Sequence, residues 1–256
     1  MQNHKLKINV IVLVMFLTLN SLGTTLGFCF LTRDKKPTSK QEAKLPSTSP
    51  FKIDEKIPYQ VRFNGVKVGK IELEYKGRQK LGKDLVDILV VSSCIRILAL
   101  FEIESREKVY VDVNMHLPIK VEREVKFLGK QEVISEEYNQ EEGWLKLTQT
   151  KGKTTEEKLI KVSPPIHNVL ILYFLYPLDL KDEAIGKTYE FNLPTRKISI
   201  KLKEARKISR YDKEIEEFYI WEGSPRRFEV WLKKTERLPW RVEIPAFLGR
   251  IVITRI

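Results

Sequence analysis

Histidine and cysteine, which are frequent in catalytic and metal sites, are scarce in this 256-residue chain, which has 3 His and 2 Cys. Three histidines leave little material for a histidine-based metal site or a catalytic triad. The sequence has no Gly-x-Ser-x-Gly, His-Glu-x-x-His or Cys-x-x-Cys motif and no phosphate-binding glycine-rich loop. We therefore predict no catalytic residue, no metal site and no cofactor.

The remaining titratable residues favour structural roles over catalysis. His116 lies in a predicted turn, and His167 lies at the predicted start of a helix, which are positions typical of surface and capping histidines. Carboxylates such as Glu136-Glu137 and Glu214 to Glu217 fall in polar, lysine-rich runs. Such runs predict solvated faces rather than an acid/base pair.

Positive charge is concentrated towards the C-terminus. Residues 195–256 hold 16 Lys+Arg and 9 Asp+Glu, and the whole chain has a net charge of +12. In the segment from Lys197 to Lys203, lysines lie in one phase of a predicted strand and the isoleucine and leucine residues in the other. Because side chains alternate between the two faces of a strand, the lysines should form a basic stripe over the core. The predicted stripe comprises Lys197, Lys201, Lys203, Arg226 and Arg227.

This stripe could contact anionic lipid head groups or an anionic envelope polymer. The alternative is a Lys/Glu-rich surface of the kind found in heat-adapted proteins. Nucleic acid is not an expected partner, since an exported chain would rarely meet one.

One apolar segment interrupts a sequence that otherwise has a strand-like pattern. It runs from Val169 to Tyr176, with Pro164-Pro165 before it and Pro177 after it. Prolines are tolerated in the first turn of a helix and end it downstream, so the segment predicts a short helix, with a buried strand as the alternative. A helix without a polar face must be enclosed, and it could line an apolar groove. The predicted ligand-binding residues are Leu170, Leu172, Tyr173, Phe174, Tyr176, Trp231 and Trp240.

The rest of the chain from residue 51 shows period-two alternation. Tyr59, Val61 and Phe63 alternate with polar residues, and Asn64-Gly65 supplies the residues of a tight hairpin turn. The apolar phase then changes at Gly69, which predicts a β-bulge. Short breaks between the later apolar runs favour antiparallel neighbours. We therefore predict a mainly β fold: a curved antiparallel sheet, or partly open β-barrel, of about ten strands wrapping one buried apolar helix.

The N-terminus predicts export. Residues 1–27 have the basic, apolar and small-residue order of a secretory leader, although a retained N-terminal anchor is the alternative. Cys29 is a candidate for lipidation, but the bulky Phe28 departs from the lipoprotein pattern. Residues 28–50 predict a flexible polar linker, and residues 51–256 a single β-rich domain. The protein should be periplasmic, or tethered to the membrane through its N-terminus and facing the periplasm.

The order of these features resembles the bacterial exported family called "domain of unknown function 3108". The resemblance covers residues 51–256. It implies a secreted or periplasmic antiparallel β domain without an established catalytic activity, and it supplies no active-site residues. The segments that carry it are Phe51 to Tyr59, Gly65, Gly69, Tyr110 to Asp112, Leu117-Pro118, Tyr173, Gly186 to Tyr189, Phe228 to Leu232, Arg237 to Pro245 and Gly249.

Two functions are compatible with these features. The first is a non-enzymatic envelope protein that binds a lipid-like or anionic amphiphilic ligand in a groove of the curved sheet. The second is a structural or interaction domain, tethered to the membrane, that presents a surface to another envelope protein.

Overall fold

The computed structural model describes residues 52–97, 101–174, 185–209, 215–225, 227–236, 238–246 and 248–256. Within these ranges the chain forms fourteen β-strands and one short helix, so the predicted mainly β fold is confirmed and the predicted number of strands is too low. The elements are β1 (Lys56–Phe63), β2 (Val66–Leu81), β3 (Asp84–Ile97), β4 (Phe101–Asp112), β5 (Pro118–Phe127), β6 (Lys130–Asn139), β7 (Trp144–Lys151), β8 (Thr154–Lys161), α1 (Val169–Phe174), β9 (Thr188–Leu193), β10 (Arg196–Ser209), β11 (Ile215–Ser224), β12 (Phe228–Lys233), β13 (Pro239–Ala246) and β14 (Gly249–Arg255).

All fourteen strands belong to one antiparallel sheet, in which the first and last strands are neighbours. The order is β8-β7-β6-β5-β4-β3-β2-β1-β14-β13-β12-β11-β10-β9. Strand β1 pairs with β2 on one side and with β14 on the other, where Tyr59 lies opposite Arg255. The two ends of the domain therefore meet in the middle of the sheet, and β8 and β9 are its edges.

The first hairpin forms as its sequence predicts. Asn64 and Gly65 have φ angles of 49° and 84°, the left-handed values that a tight two-residue turn needs. Along the return strand, Val61 pairs with Gly69 whereas Arg62 pairs with Lys67. The pairing thus skips one residue next to Gly69, which is the irregularity that the change of apolar phase predicts.

The sheet must curl, because the segment after one edge strand reaches the other edge. Ile166 forms a parallel bridge with Asn192 of β9, and the His167 amide donates to the Asn192 carbonyl oxygen at 2.7 Å. Fourteen strands in a flat sheet would hold the two edges roughly 60 Å apart. The chain from Ile160 in β8 to Ile166 can span only about 22 Å. The edges therefore approach each other, although β8 and β9 do not pair directly.

The two largest of the four core clusters lie on one face of the sheet, which we call the inner face, and the two smaller clusters lie on the outer face. Along β1 this face carries Tyr59 and Val61, both 1% exposed. The first cluster lies mainly on β9 to β14, and the second mainly on β1 to β7. Helix α1 contributes Leu172 to the first cluster and Ile171 to the second. The helix and the segment before it therefore help to join the two halves of the sheet.

The prediction of a sheet wrapped around one buried helix is not confirmed. Helix α1 has only six residues, and Val169 and Leu170 on it are half-buried. Its predicted continuation to Tyr176 lies outside the described residues, as do the predicted leader, the linker and Cys29. In the part of the chain that the structure describes, no helix has the length and apolar character needed to cross a membrane.

Candidate functional site

The start of α1 is fixed by polar contacts from several elements. The Asn168 side-chain oxygen accepts a hydrogen bond from the Leu170 amide at 2.8 Å, which is the usual N-cap contact. Gln140 holds the preceding segment, because its side chain bonds both the amide and the carbonyl oxygen of Ile166 at 2.9 and 3.0 Å. The helix residues are therefore positioned by the loop after β6 as well as by the core.

The predicted ligand-binding residues whose side chains the structure describes lie in different places. Leu170 is half-buried against the second cluster, whereas Leu172 is buried in the first. Tyr173 and Phe174 belong to α1, but their side chains, and Tyr176 as a whole, lie outside what the structure describes.

Trp231 and Trp240 lie in a separate cluster with Phe218 and Ile220. Trp231 alternates with Val230 and Leu232, which face the first cluster, so it projects from the opposite face of β12. The Arg206 and Arg241 guanidinium groups lie 5.1 and 5.7 Å from the Trp231 ring centre. The two tryptophans are thus not brought together with the helix residues.

An apolar area on the inner face remains partly open to solvent. Ile71 of β2 and Ile253 of β14 each pack against both core clusters, yet both are half-buried rather than buried. Phe101 packs against the first cluster and Leu170 against the second, and they are also half-buried. We call these four residues the inner patch. Ile71 and Ile253 thus lie between the two clusters, Phe101 and Leu170 lie at the margin of one cluster each, and all four leave part of their apolar surface accessible on the inner face of the curled sheet.

Polar side chains adjoin the inner patch on the neighbouring strands. Ser93 lies opposite Ile71, and Ser105 lies opposite Ser93, with 2.8 Å between the two hydroxyl oxygens. Two residues further along β4, Glu107 also faces inwards, opposite Val91. All three polar side chains are half-buried. We call Ser93, Ser105 and Glu107 the polar wall.

Behind the polar wall lies a buried charge network. Arg123, 4% exposed, donates from Nε to Glu107 Oε2 at 2.5 Å, and its Nη1 lies 3.7 Å from Glu136 Oε1. Burial alone would lower the pKa of Arg123, but Glu107 and Glu136 outweigh that effect and raise it. The guanidinium therefore stays charged between two carboxylates.

Glu136 is fully buried, which corrects the prediction of a solvated face. Its Oε2 accepts a hydrogen bond from the Tyr138 hydroxyl at 2.5 Å, whereas Oε1 makes no hydrogen bond within the described part of the chain. Burial raises the pKa of Glu136, and the charge on Arg123 opposes that shift. Burial also raises the pKa of Tyr138, with a further contribution from Glu136.

The two described histidines occupy different surroundings. His167 is 3% exposed and its ring meets Phe191 edge-on at 5.1 Å. Burial lowers the pKa of His167 to about 4, and hydrogen bonds to the backbone of Asn192 and Pro165 oppose the shift. His116 lies in the turn after β4, where burial lowers its pKa and the nearby Asp87 raises it. A catalytic imidazole base lies between a carboxylate that orients it and a nucleophile. Neither histidine has this arrangement among the described residues.

The basic stripe lies on the outer face of β10. Lys197, Lys201 and Lys203 are exposed and alternate with the buried Ile198, Ile200 and Leu202. Lys203 pairs with Glu229 at 2.9 Å, so part of the stripe is neutralised. Arg227 is exposed, whereas Arg226 lies outside the described residues. The stripe therefore does not face the inner patch.

Among the described residues, one group of potential metal ligands occurs, on the outer face of β3 and β4. A ligand atom from each of Cys94, Glu102 and Glu104 lies within 4.8 Å of the others. Arg96 already pairs with Glu102 at 2.7 Å, which places a positive charge beside the group. Burial raises the pKa of Cys94, with a further contribution from its hydrogen bond to Glu102, so the thiolate that a metal requires is disfavoured.

Comparisons with known proteins do not identify a family. No family model matches the chain, and no curated protein matches its sequence. One similar solved structure is the beta-barrel-like protein of domain of unknown function DUF1849 from Brucella abortus. It shares 10% sequence identity, with a TM-score of 0.45, and the match covers 78% of this chain and 94% of that chain. The expected membership of the family of domain of unknown function 3108 is wrong, since no family model matches the chain.

Proposed function

We propose that this chain is a non-enzymatic protein of the cell envelope that binds a lipid-like amphiphile on the inner face of its curled sheet. The observation that carries the proposal is the inner patch: Ile71 and Ile253 contact both core clusters and yet remain partly accessible. Ligand sites are typically concave and apolar with a few polar groups. Here the polar wall supplies those groups beside Ile71.

The cellular location in this proposal rests on the N-terminal sequence. The basic start, apolar run and small residues of residues 1–27 are typical of export, either with cleavage or with retention as an anchor. A polar linker over residues 28–50 would hold the folded domain close to the membrane. A protein in this position could take up or hold an amphiphile from the envelope.

Titration with N-phenyl-1-naphthylamine, a neutral apolar probe that fluoresces on binding, tests the proposal. We expect saturable binding by the full chain and a loss of at least about tenfold in affinity for Ile71→Lys, because a charge would enter the apolar surface. The matched control is Ile215→Lys, since Ile215 is a strand isoleucine that is 66% exposed. If Ile71→Lys does not fold, Ile71→Trp replaces it in the test. This variant fills the patch without adding charge and should also reduce binding. Equal binding by folded patch and control variants would contradict the proposal.

A second candidate is a tethered interaction domain, and the free edge of β8 favours it. All but one residue of this strand are exposed, including Leu159 at 60%. An exposed edge can pair with a strand from another chain. A photo-crosslinking residue at position 159 should then capture one partner in the envelope, while the same residue at position 215 should not.

A further inference from the structure

The polar wall restricts which head group an amphiphile can have, an inference that rests on the proposed function. Ile71, Ser93 and Ser105 lie side by side on three neighbouring strands. Directly opposed side chains on paired strands lie about 5 Å apart. A ligand whose chain covers Ile71 therefore places its polar end against the serine hydroxyls and Glu107.

Glu107 has a carboxylate oxygen to which Arg123 does not donate. Its side chain is 14% exposed, and Oε2 is occupied by Arg123. Among the described residues, the side-chain hydrogen bond that Glu107 accepts goes to Oε2 and leaves Oε1 to other donors. A partly buried carboxylate oxygen of this kind favours a donor, especially a charged one.

The described residues beside the inner patch leave no positive charge available for an anionic head group. Arg123 already lies between Glu107 and Glu136, two carboxylates that share its single charge. Arg255, which adjoins the patch across Tyr59, is paired with Glu236. An anion at the polar wall would meet the Glu107 carboxylate without a compensating cation, which is unfavourable at a partly buried position.

We propose that the inner patch and polar wall bind amphiphiles whose head groups donate hydrogen bonds, namely ammonium or hydroxyl groups, in preference to anionic amphiphiles. The patch holds the chain, and Glu107 with the serine pair accepts hydrogen bonds from the head group. The proposed ligand differs from the anionic ligand that the basic stripe predicts. The stripe lies on the outer face of β10 and therefore does not contribute its charge to the inner patch.

Displacement of N-phenyl-1-naphthylamine tests the proposal with three ligands of equal chain length: dodecylamine, monolauroylglycerol and dodecanoate, each below its critical micelle concentration at pH 7. We expect the amine and the monoglyceride to displace the probe at concentrations at least about tenfold lower than dodecanoate, the effect of one charge-assisted hydrogen bond. Equal or tighter binding of dodecanoate would overturn the proposal while leaving amphiphile binding intact. Failure of the probe to bind would instead overturn the proposed function, and this inference with it.

Variants of β4 separate the role of the polar wall from a general charge effect. Glu107→Gln should remove most of the preference for dodecylamine over dodecanoate. The control Glu104→Gln, an exposed carboxylate on the outer face of the same strand, should leave it unchanged. If Glu107→Gln does not fold, Ser105→Ala should weaken the amine and the monoglyceride more than dodecanoate. An unchanged preference in a folded wall variant would contradict the assignment.

Discussion

Burial of His167 predicts that the folded protein loses stability in acid. The pKa of His167 falls from 6.5 to about 4 in the fold, chiefly because its ring is buried. The neutral form is therefore favoured by folding, and the contribution to stability is fully present above pH 6.5. It is lost progressively as the pH falls from 6.5 to about 4, because in this range the unfolded chain binds a proton that the folded chain does not. Below pH 4 both states bind the proton, and the loss levels off.

The size of this effect follows from the two pKa values. One pKa unit corresponds to about 1.4 kcal/mol, so the difference between 6.5 and about 4 corresponds to about 3 kcal/mol. That is a large share of the stability of an ordinary domain. No charged side chain among the described residues contributes to this shift, so added salt should change the effect little.

Urea denaturation between pH 4 and pH 7.5 measures the effect in the wild-type chain and in His167→Gln. The variant should be less stable at pH 7 but should lose about 3 kcal/mol less on acidification. The control His116→Gln removes the other described histidine, whose side chain is less buried, and should keep most of the wild-type pH dependence. A wild-type pH dependence in His167→Gln, or an NMR titration of His167 near pH 6.5, would refute the reasoning.

Three further substitutions test the buried network and the sheet. Arg123→Met should lower the free energy of unfolding by about 3–5 kcal/mol in urea denaturation, because two carboxylates lose their partner. The control Arg96→Met removes an exposed arginine and should lower it by under about 1 kcal/mol. Gly69→Ala should destabilise by about 1–3 kcal/mol in the same assay, since its Cβ would approach the Cys94 carbonyl oxygen too closely. Because the pKa of Glu136 is raised in the fold, the unfolding free energy of the wild type should fall as the pH increases above 4.5. Glu136→Gln should flatten this fall, and an unchanged slope of unfolding free energy against pH would contradict the prediction.

Local features of the sheet could be predicted from the sequence because they depend on neighbouring residues. The turn at Asn64-Gly65 and the irregularity beside Gly69 follow from backbone preferences and side-chain alternation. The face of β12 from which Trp231 projects could also be predicted from the sequence. Val230 and Leu232 on either side of it are both apolar and share the opposite face. The number of strands was underestimated because polar strands such as β6 and β8 lack a clear apolar alternation.

The buried network could not be predicted, because it depends on pairing between strands. In sequence, Glu136 is followed by another glutamate and looks solvated. It is buried because β6 pairs with β5 and β7, which places Val121 and Leu147 on either side of it. The inner patch likewise joins β2 and β14, which are distant in sequence and lie on either side of β1.

Native mass spectrometry with lipid extraction tests the central claim most directly. The full chain would be purified from a bacterial envelope without detergent exchange, alongside Ile71→Lys and the control Ile215→Lys. We predict a co-purifying amphiphile on the wild type and on the control variant, and its loss from folded Ile71→Lys. A ligand-free mass for the wild type, or the same adduct on all three proteins, would contradict binding at the inner patch.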